Sequence, residues 1–330
     1  MARVVRFHQT GGPEVLKVED VEVRSPASGE VRIRVQAIGL NRAECLFRAG
    51  QYLAIPAFPS TLGYEAAGVV EALGSGVTGF KVGDRVSVIP AFDLTQYGTY
   101  GELINIPAHA VAHYPEAFSP TQGAAVWMQY VTAWCGLVQL GKLEKGQNVL
   151  ITAASSSVGL AAIQVARSLG ATPIAATRTA AKKVRLLAAG AQEVIVTSSE
   201  DLPARVMAVT GNVGAHVIFD PVSGPYVETL AQASAQQGKL LIYGFLDPRP
   251  TPYPLYAAFT KALWMRAFAL FEYTLNPAAL AQAKAFISAG MASGDLLPVV
   301  DDSRFNLTQI ADAHRHMESN TQFGKIVVSV

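Results

Sequence analysis

The residues with most chemical potential form a run of small side chains, Thr152, Ala153, Ala154, Ser155, Ser156, Ser157, Val158 and Gly159, between an apolar strand pattern and a helical one. Small residues at a strand-to-helix turn let a dinucleotide pyrophosphate approach backbone N–H groups at the positive end of the helix. The turn is poor in glycine for such a motif, because Ser155, Ser156 and Ser157 stand where glycines are common. Their hydroxyls can still donate to phosphate. Taken alone, the segment reads equally well as an ordinary buried strand–helix turn. The next strand pattern ends in Arg178, Thr179, Ala180, Ala181, Lys182 and Lys183. An NAD site places an acid about 20 residues beyond the glycines to hold the ribose 2′-hydroxyl. Here the next carboxylate after Gly159 is Glu193. Arg178 can fork onto a 2′-phosphate and Lys182, one turn into the next helix, can add a second charge, which predicts NADPH over NADH. The competing reading is a solvated basic helix start.

These residues need elements to hold them, and the second half of the chain supplies a regular set. Strand patterns near 148–152, 173–177, 194–196, 216–220 and 239–244 alternate with helical ones near 158–169, 180–189, 224–236 and 256–264. This alternation predicts an α/β fold, a doubly wound parallel sheet. The first part reads instead as short β-runs, Arg3–Phe7, Val31–Ile38, Ala67–Leu73, Arg85–Ile89 and Glu102–Ile106, with turn signals at Gly11-Gly12-Pro13, Gly74-Ser75-Gly76 and Gly83-Asp84. Helices near 277–290 and 307–318 and a last strand at 325–330 either close the sheet or return to the first domain. The expected division is 1–125 completed by 267–330, with 126–266 between them.

Composition narrows the function class. The chain has 330 residues, half of them hydrophobic and 15% charged, with a net charge of +1, which excludes global disorder and argues against a dedicated nucleic-acid or anionic-membrane binder. The first twelve residues lack the apolar core of a signal peptide, and Pro120 and Gly123 break the longest charge-free run, 117–141, as a spanning helix. Cys45 and Cys135 are the only cysteines, consistent with a reducing cytoplasm and too few for a four-cysteine zinc site. His314 and His316, two apart on a helix, do not share a face and read as surface residues.

The order of several motifs resembles the medium-chain dehydrogenase/reductase superfamily, specifically its zinc-independent quinone oxidoreductase branch. The likeness runs over essentially the whole chain. It is carried by Gly11-Gly12-Pro13-Glu14-Val15-Leu16, Gly39-Leu40-Asn41, Arg48-Ala49-Gly50-Gln51-Tyr52, Leu62-Gly63-Tyr64-Glu65-Ala66-Ala67-Gly68-Val69-Val70, Val82-Gly83-Asp84-Arg85-Val86, the 153–159 turn and the closing Gly324-Lys325-Ile326-Val327-Val328. The resemblance implies a β-rich GroES-like catalytic domain built from both ends of the chain, a Rossmann domain binding NADPH, and an active site in the cleft between them. Zinc-dependent relatives carry a cysteine at the position of Asn41 and a histidine at that of Tyr64, so the resemblance implies no zinc, with Glu65 a buried structural acid. It also implies Asn41 and Tyr52 near the nicotinamide, and cofactor contacts from Asn41, Arg42, Thr132 after a hinge at 127–130, Ser156, Ser157, Val158, Gly244 and Phe245, besides Arg178, Thr179 and Lys182. The chain departs from common family choices at Leu46, Thr197 and Asn320, where relatives often carry tyrosine, tyrosine and arginine.

Without a Lewis-acid metal, a simple ketone would leave a localised alkoxide facing neutral donors, whereas a quinone or enone spreads the charge into a phenolate or enolate. The reading is therefore an NADPH-dependent quinone or enone reductase in which Asn41 and Tyr52 donate hydrogen bonds. An alternative is a 2-enoyl thioester reductase, and one of another class is an NADPH-binding interaction or RNA-binding protein. Relatives pair through the edge of the Rossmann sheet, so a homodimer through the apolar stretch 264–271 is expected.

Overall fold

A computed structural model describes residues 1–330. The chain divides into two compact units, Met1–Met128 with Pro298–Val330, and Gln129–Leu297. The second boundary falls after Leu297 rather than near 266. The intervening residues belong with the second unit because Gln164 donates to the Leu297 carbonyl (2.9 Å) and accepts from its N–H (3.1 Å), while Tyr273 packs edge-on against Trp134.

The second unit is the doubly wound α/β sheet. Its six parallel strands lie in the order Glu193–Val196, Thr172–Thr177, Asn148–Ile151, Ala215–Asp220, Ser234–Ile242, Trp264–Ala267. The chain runs outward from Asn148–Ile151 in one direction and then resumes on its other side with Ala215–Asp220, which makes the ends of these two strands the switch point of the sheet. One side of the sheet buries Leu150, Ile174, Ile195, Ile218 and Leu240 against helical Val206, Val227 and Leu230. The helix expected near 224–236 is shorter, Val227–Gln232, because the fifth strand already begins at Ser234. The structure adds a helix at Leu202–Val209, which Asp201 caps by accepting from Ala204 N–H (2.8 Å) with Pro203 in its first turn.

The first unit is β-rich. A seven-stranded sheet runs Phe305–Asn306, Val327–Ser329, Glu30–Gly39, Glu65–Leu73, Arg85–Val88, Val111–His113, with Leu103–Pro107 paired to Glu30–Gly39; a separate hairpin joins Ala2–Arg6 to Lys17–Val21. The long strand Glu30–Gly39 is the organiser, since Gly39 faces Glu65 on one neighbour and Val327 on the other. That register gathers residues 39–41, 64–65 and 325 at one end of the sheet. The helix Arg42–Arg48 starts there and places Glu44 and Arg48 in the interior. No helix of the chain is long and apolar enough to cross a membrane.

Candidate functional site

In the second unit, the small-residue turn sits at the switch point. Thr152 Oγ1 donates to Asp220 Oδ1, linking the ends of the first and fourth strands, and Ser223 N–H donates to Asp220 Oδ2 (2.7 Å). Burial pushes the Asp220 carboxyl up, against the lowering effect of these bonds. Ser156 ends the turn as the N-cap of the helix Ser157–Ser168, its Oγ accepting from Gly159 N–H at 3.1 Å. Gly159 is required: a Cβ there would lie 2.6 Å from Ala154 Cα, so only glycine lets the helix sit this close to the turn. Ala153 holds the left-handed conformation at φ 45°, one that costs an L-residue roughly 1–2 kcal/mol.

The charges lie beside this turn. Lys182 Nζ donates to Ser155 Oγ at 3.1 Å, so its ammonium lies against the serine run, and Arg178 is exposed where the second strand ends. Thr179, also exposed, precedes the short 3-10 turn Ala180–Lys182. Tyr243 stacks on Phe219 at 4.1 Å, and its buried hydroxyl points towards Ser156 without completing a hydrogen bond. Gly244 follows, where a Cβ would lie 2.9 Å from Pro221 O, and then the exposed Phe245. A half-buried serine turn at a helix N-terminus, a cation drawn to it and an orphaned hydroxyl nearby fit the phosphates of a dinucleotide. Thr132 is buried within the helix Trp127–Ala133, so residues 127–130, expected as a hinge, are the first turn of that helix.

In the first unit, Asn41 is the centre of a buried polar cluster. Its Oδ1 accepts from Lys325 Nζ at 2.5 Å, and its Nδ2 donates to Glu44 Oε1 at 3.1 Å and to Gly39 O at 3.4 Å. Lys325 also pairs with Glu65, whose other oxygen accepts from Met128 N–H at 2.9 Å. Glu44 receives four donors, Asn41 N–H (2.7 Å), Asn41 Nδ2, Tyr64 N–H (2.9 Å) and Tyr100 O–H (2.6 Å). Burial raises its pKa, yet three of those partners are N–H groups that cannot accept a carboxyl proton.

The fourth partner is fixed by charge. Arg48 Nη1 lies 2.9 Å from His314 Nδ1, and a guanidinium only donates, so Nδ1 is bare and Nε2 carries the proton. Nε2 then donates to the Tyr100 oxygen at 3.2 Å, leaving the Tyr100 hydroxyl to donate to Glu44. Arg48 in turn pairs with Glu318. Burial, with Arg48 and Arg42 nearby, holds the His314 pKa down at about 3. His314 is therefore not a surface residue. The helix Ile310–Ser319 buries Ile310, Ala313, His314 and Met317, an i, i+3, i+4, i+7 stripe, and only His316 of the pair reaches outward, to Asp301.

Tyr52 is half-buried, with its hydroxyl hydrogen-bonded to that of Tyr64, and burial raises its pKa. Arg42 Nη2 donates to Met317 O and Asn320 Oδ1, each at 2.6 Å, which sets its guanidinium beside Asn320. No group of three or more His, Cys, Asp or Glu side chains is arranged to hold a metal ion. Glu65 is engaged by a lysine, and Asn41 and Tyr64 are neutral groups tied into protein hydrogen bonds, so the donor set does not suit zinc.

The structure thus gathers Asn41 with Glu44, Glu65 and Lys325 in one unit, and Ser156 to Val158 with Lys182 and the Tyr243–Phe245 segment in the other. Sequence reasoning does not mark Glu44, Tyr100, Lys325 or Asp220 as site residues, and it reads His314 as a surface side chain. Lys325 belongs to a quoted motif and Asp220 ends a strand, but their partners come from distant segments.

Residues 27–116 match the alcohol dehydrogenase GroES-like domain family and residues 157–288 the zinc-binding dehydrogenase family. A quinone oxidoreductase of Pseudomonas aeruginosa is 35% identical over 330 residues, covering 99% of each chain. A human quinone oxidoreductase is 31% identical over 323 residues, covering 96% of this chain and 94% of its own. The crystal structure of Escherichia coli quinone oxidoreductase complexed with NADPH superposes with a TM-score of 0.91 at 31% identity, over 99% of this chain and 100% of that one.

Proposed function

The chain belongs to the quinone oxidoreductase branch of the medium-chain dehydrogenase/reductase superfamily, and from that membership we propose that it is an NADPH-dependent reductase of quinones or related conjugated enones that works without zinc. The observation that carries the cofactor choice is the Lys182 ammonium resting on Ser155 in the phosphate turn, 3.1 Å away, with no carboxylate between Gly159 and Glu193 to take a ribose 2′-hydroxyl. In this reading the Gln129–Leu297 unit binds NADPH through Thr132, Ser156, Ser157, Val158, Arg178, Thr179, Lys182, Gly244 and Phe245, and the β-rich unit contributes Asn41, Arg42 and Tyr52. Arg42 brings a guanidinium to the position of Asn320, where the chain itself has no cation.

Bound NADPH supplies the hydride. A quinone that accepts it gains an oxyanion and needs one proton to become a hydroquinone. The Asn41 amide donates to that oxygen. Tyr52, whose phenol burial keeps protonated at neutral pH, donates to it or gives up its proton, and the Tyr64 hydroxyl stabilises the phenolate left behind. Glu44 holds the Asn41 backbone and side chain together, which fixes where the donor sits.

The strand Trp264–Ala267 pairs on one side only and leaves Trp264 44% exposed, which supports a homodimer formed across that edge. Free, buried Cys45 and Cys135 suit a reducing compartment, in keeping with a cytoplasmic protein.

The test is turnover of 1,4-benzoquinone, a simple enone and crotonyl-CoA by the parent and Tyr52→Phe at saturating NADPH. The expected result is quinone turnover that Tyr52→Phe lowers by less than about tenfold, since a general acid contributes roughly 10²–10⁴-fold where protonation is demanding. A much higher kcat/KM for crotonyl-CoA, abolished by Tyr52→Phe, would replace this reading with enoyl thioester reduction.

A further inference from the structure

We propose that Lys325 is a positioning residue for this reaction, its buried ammonium orienting and polarising the Asn41 amide as a donor to the acceptor's developing oxyanion. The inference rests on the role given to Asn41 above and adds a residue to it.

The lysine is placed with care. It has no exposed surface, its backbone is held by Val299 O (2.9 Å) and Asp301 N–H (2.8 Å), and its stem passes the strand at Gly39. A Cβ on Gly39 would lie 2.9 Å from Lys325 Cε and 2.0 Å from Ala124 O, so only glycine leaves room for the side chain and the neighbouring backbone. Burying an ammonium is costly, and Glu65 alone would neutralise it. The ammonium nevertheless makes its second bond to Asn41 Oδ1, at 2.5 Å.

That bond settles which way the amide points. With the oxygen facing a cation, the nitrogen must face Glu44 and Gly39. A cation on the carbonyl oxygen draws electron density from the amide and makes its N–H groups stronger donors. One N–H goes to Glu44 at 3.1 Å; the other meets Gly39 O at 3.4 Å, beyond the usual range, and is the less committed donor. A newly formed oxyanion competes for it on favourable terms. Asn41 is 7% exposed, whereas Lys325 is fully enclosed, so the lysine acts through the amide rather than on the acceptor.

The experiment is a double-mutant cycle. Asn41→Ser, which keeps a good N-cap and loses the amide, is made in the parent and in a Glu65→Gln/Lys325→Met background that removes both buried charges together. The kcat for 1,4-benzoquinone and the KM for NADPH are measured, with circular dichroism to establish folding. Asn41→Ser should lower kcat at least about tenfold in the parent and less than about threefold in the charge-free background, whereas any change in the NADPH KM should be the same in both. Glu65→Gln alone keeps the Lys325 to Asn41 bond and should retain the full Asn41→Ser effect. If the methionine variant does not fold, Glu65→Gln/Lys325→Gln carries the same comparison. Equal losses in both backgrounds would overturn the inference and leave the Asn41 assignment standing. No loss in the parent would remove the Asn41 assignment and the inference with it.

Discussion

Replacing His314 by glutamine should remove one proton's worth of acid sensitivity from folding. The parent imidazole is enclosed, takes a hydrogen bond from Arg48 at Nδ1 and donates from Nε2 to Tyr100, with Cys45 Sγ 3.5 Å from Nδ1. Protonating Nδ1 would set two donors and two positive charges against each other. The folded pKa is accordingly held at about 3, against roughly 6.5 in an unfolded chain. Between those values the unfolded state binds the extra proton, so stability is full above about pH 6.5 and falls as the pH drops towards 3. At about 1.36 kcal/mol per unit, the two units from about pH 6.5 to 4.5 amount to roughly 2.7 kcal/mol from this group. Glutamine can accept from Arg48 through its carbonyl and donate to Tyr100 through its amide, but it does not titrate. Urea unfolding at about pH 7, 6.5, 5.5 and 4.5 should show the parent losing about 2–3 kcal/mol more than His314→Gln over the acid span. The Glu30 carboxyl, held at about 2 chiefly by Arg24, contributes mainly below this window. Equal acid losses in parent and variant would refute the tautomer argument and the donor order from Arg48 to Glu44 built on it.

Further outcomes follow from the second unit. Arg178→Ala and Lys182→Met should each raise the NADPH KM about tenfold while leaving that for NADH nearly unchanged; an equal rise for both cofactors would assign these residues to the shared pyrophosphate instead. Ala153→Gly relieves a left-handed alanine at φ 45° and should stabilise the unit by about 1 kcal/mol in urea unfolding, whereas a loss of stability would mean the methyl group is packed usefully. Trp264→Lys places a charge on the bare sheet edge and should shift the protein from dimer to monomer in size-exclusion chromatography with light scattering; an unchanged dimer would put the interface elsewhere.

Sequence by itself determined the architecture of the second unit, because alternation of apolar strands with helical segments leaves a doubly wound sheet as the packing that buries both faces. It also marked the phosphate turn and the basic residues after the second strand, since these are local patterns: a strand, a run of small residues, a helix start and cations, all between Asn148 and Lys182. The short elements were less legible. Arg42–Arg48 is a seven-residue helix whose interior holds Glu44 and Arg48, so polarity concealed burial. His314 was misplaced for the same reason, although the stripe 310, 313, 314, 317 was present to be read. Only the tertiary structure decided the chemistry around Asn41. Its partners Glu44 and Lys325, and the Glu65 that pairs with that lysine, come from a helix start, the closing strand segment and a strand start, brought together by the register of Gly39 against Glu65 and Val327. A buried charge looks like a surface charge in sequence, because what makes its burial tolerable is a partner up to 284 positions away, and only the folded chain names that partner.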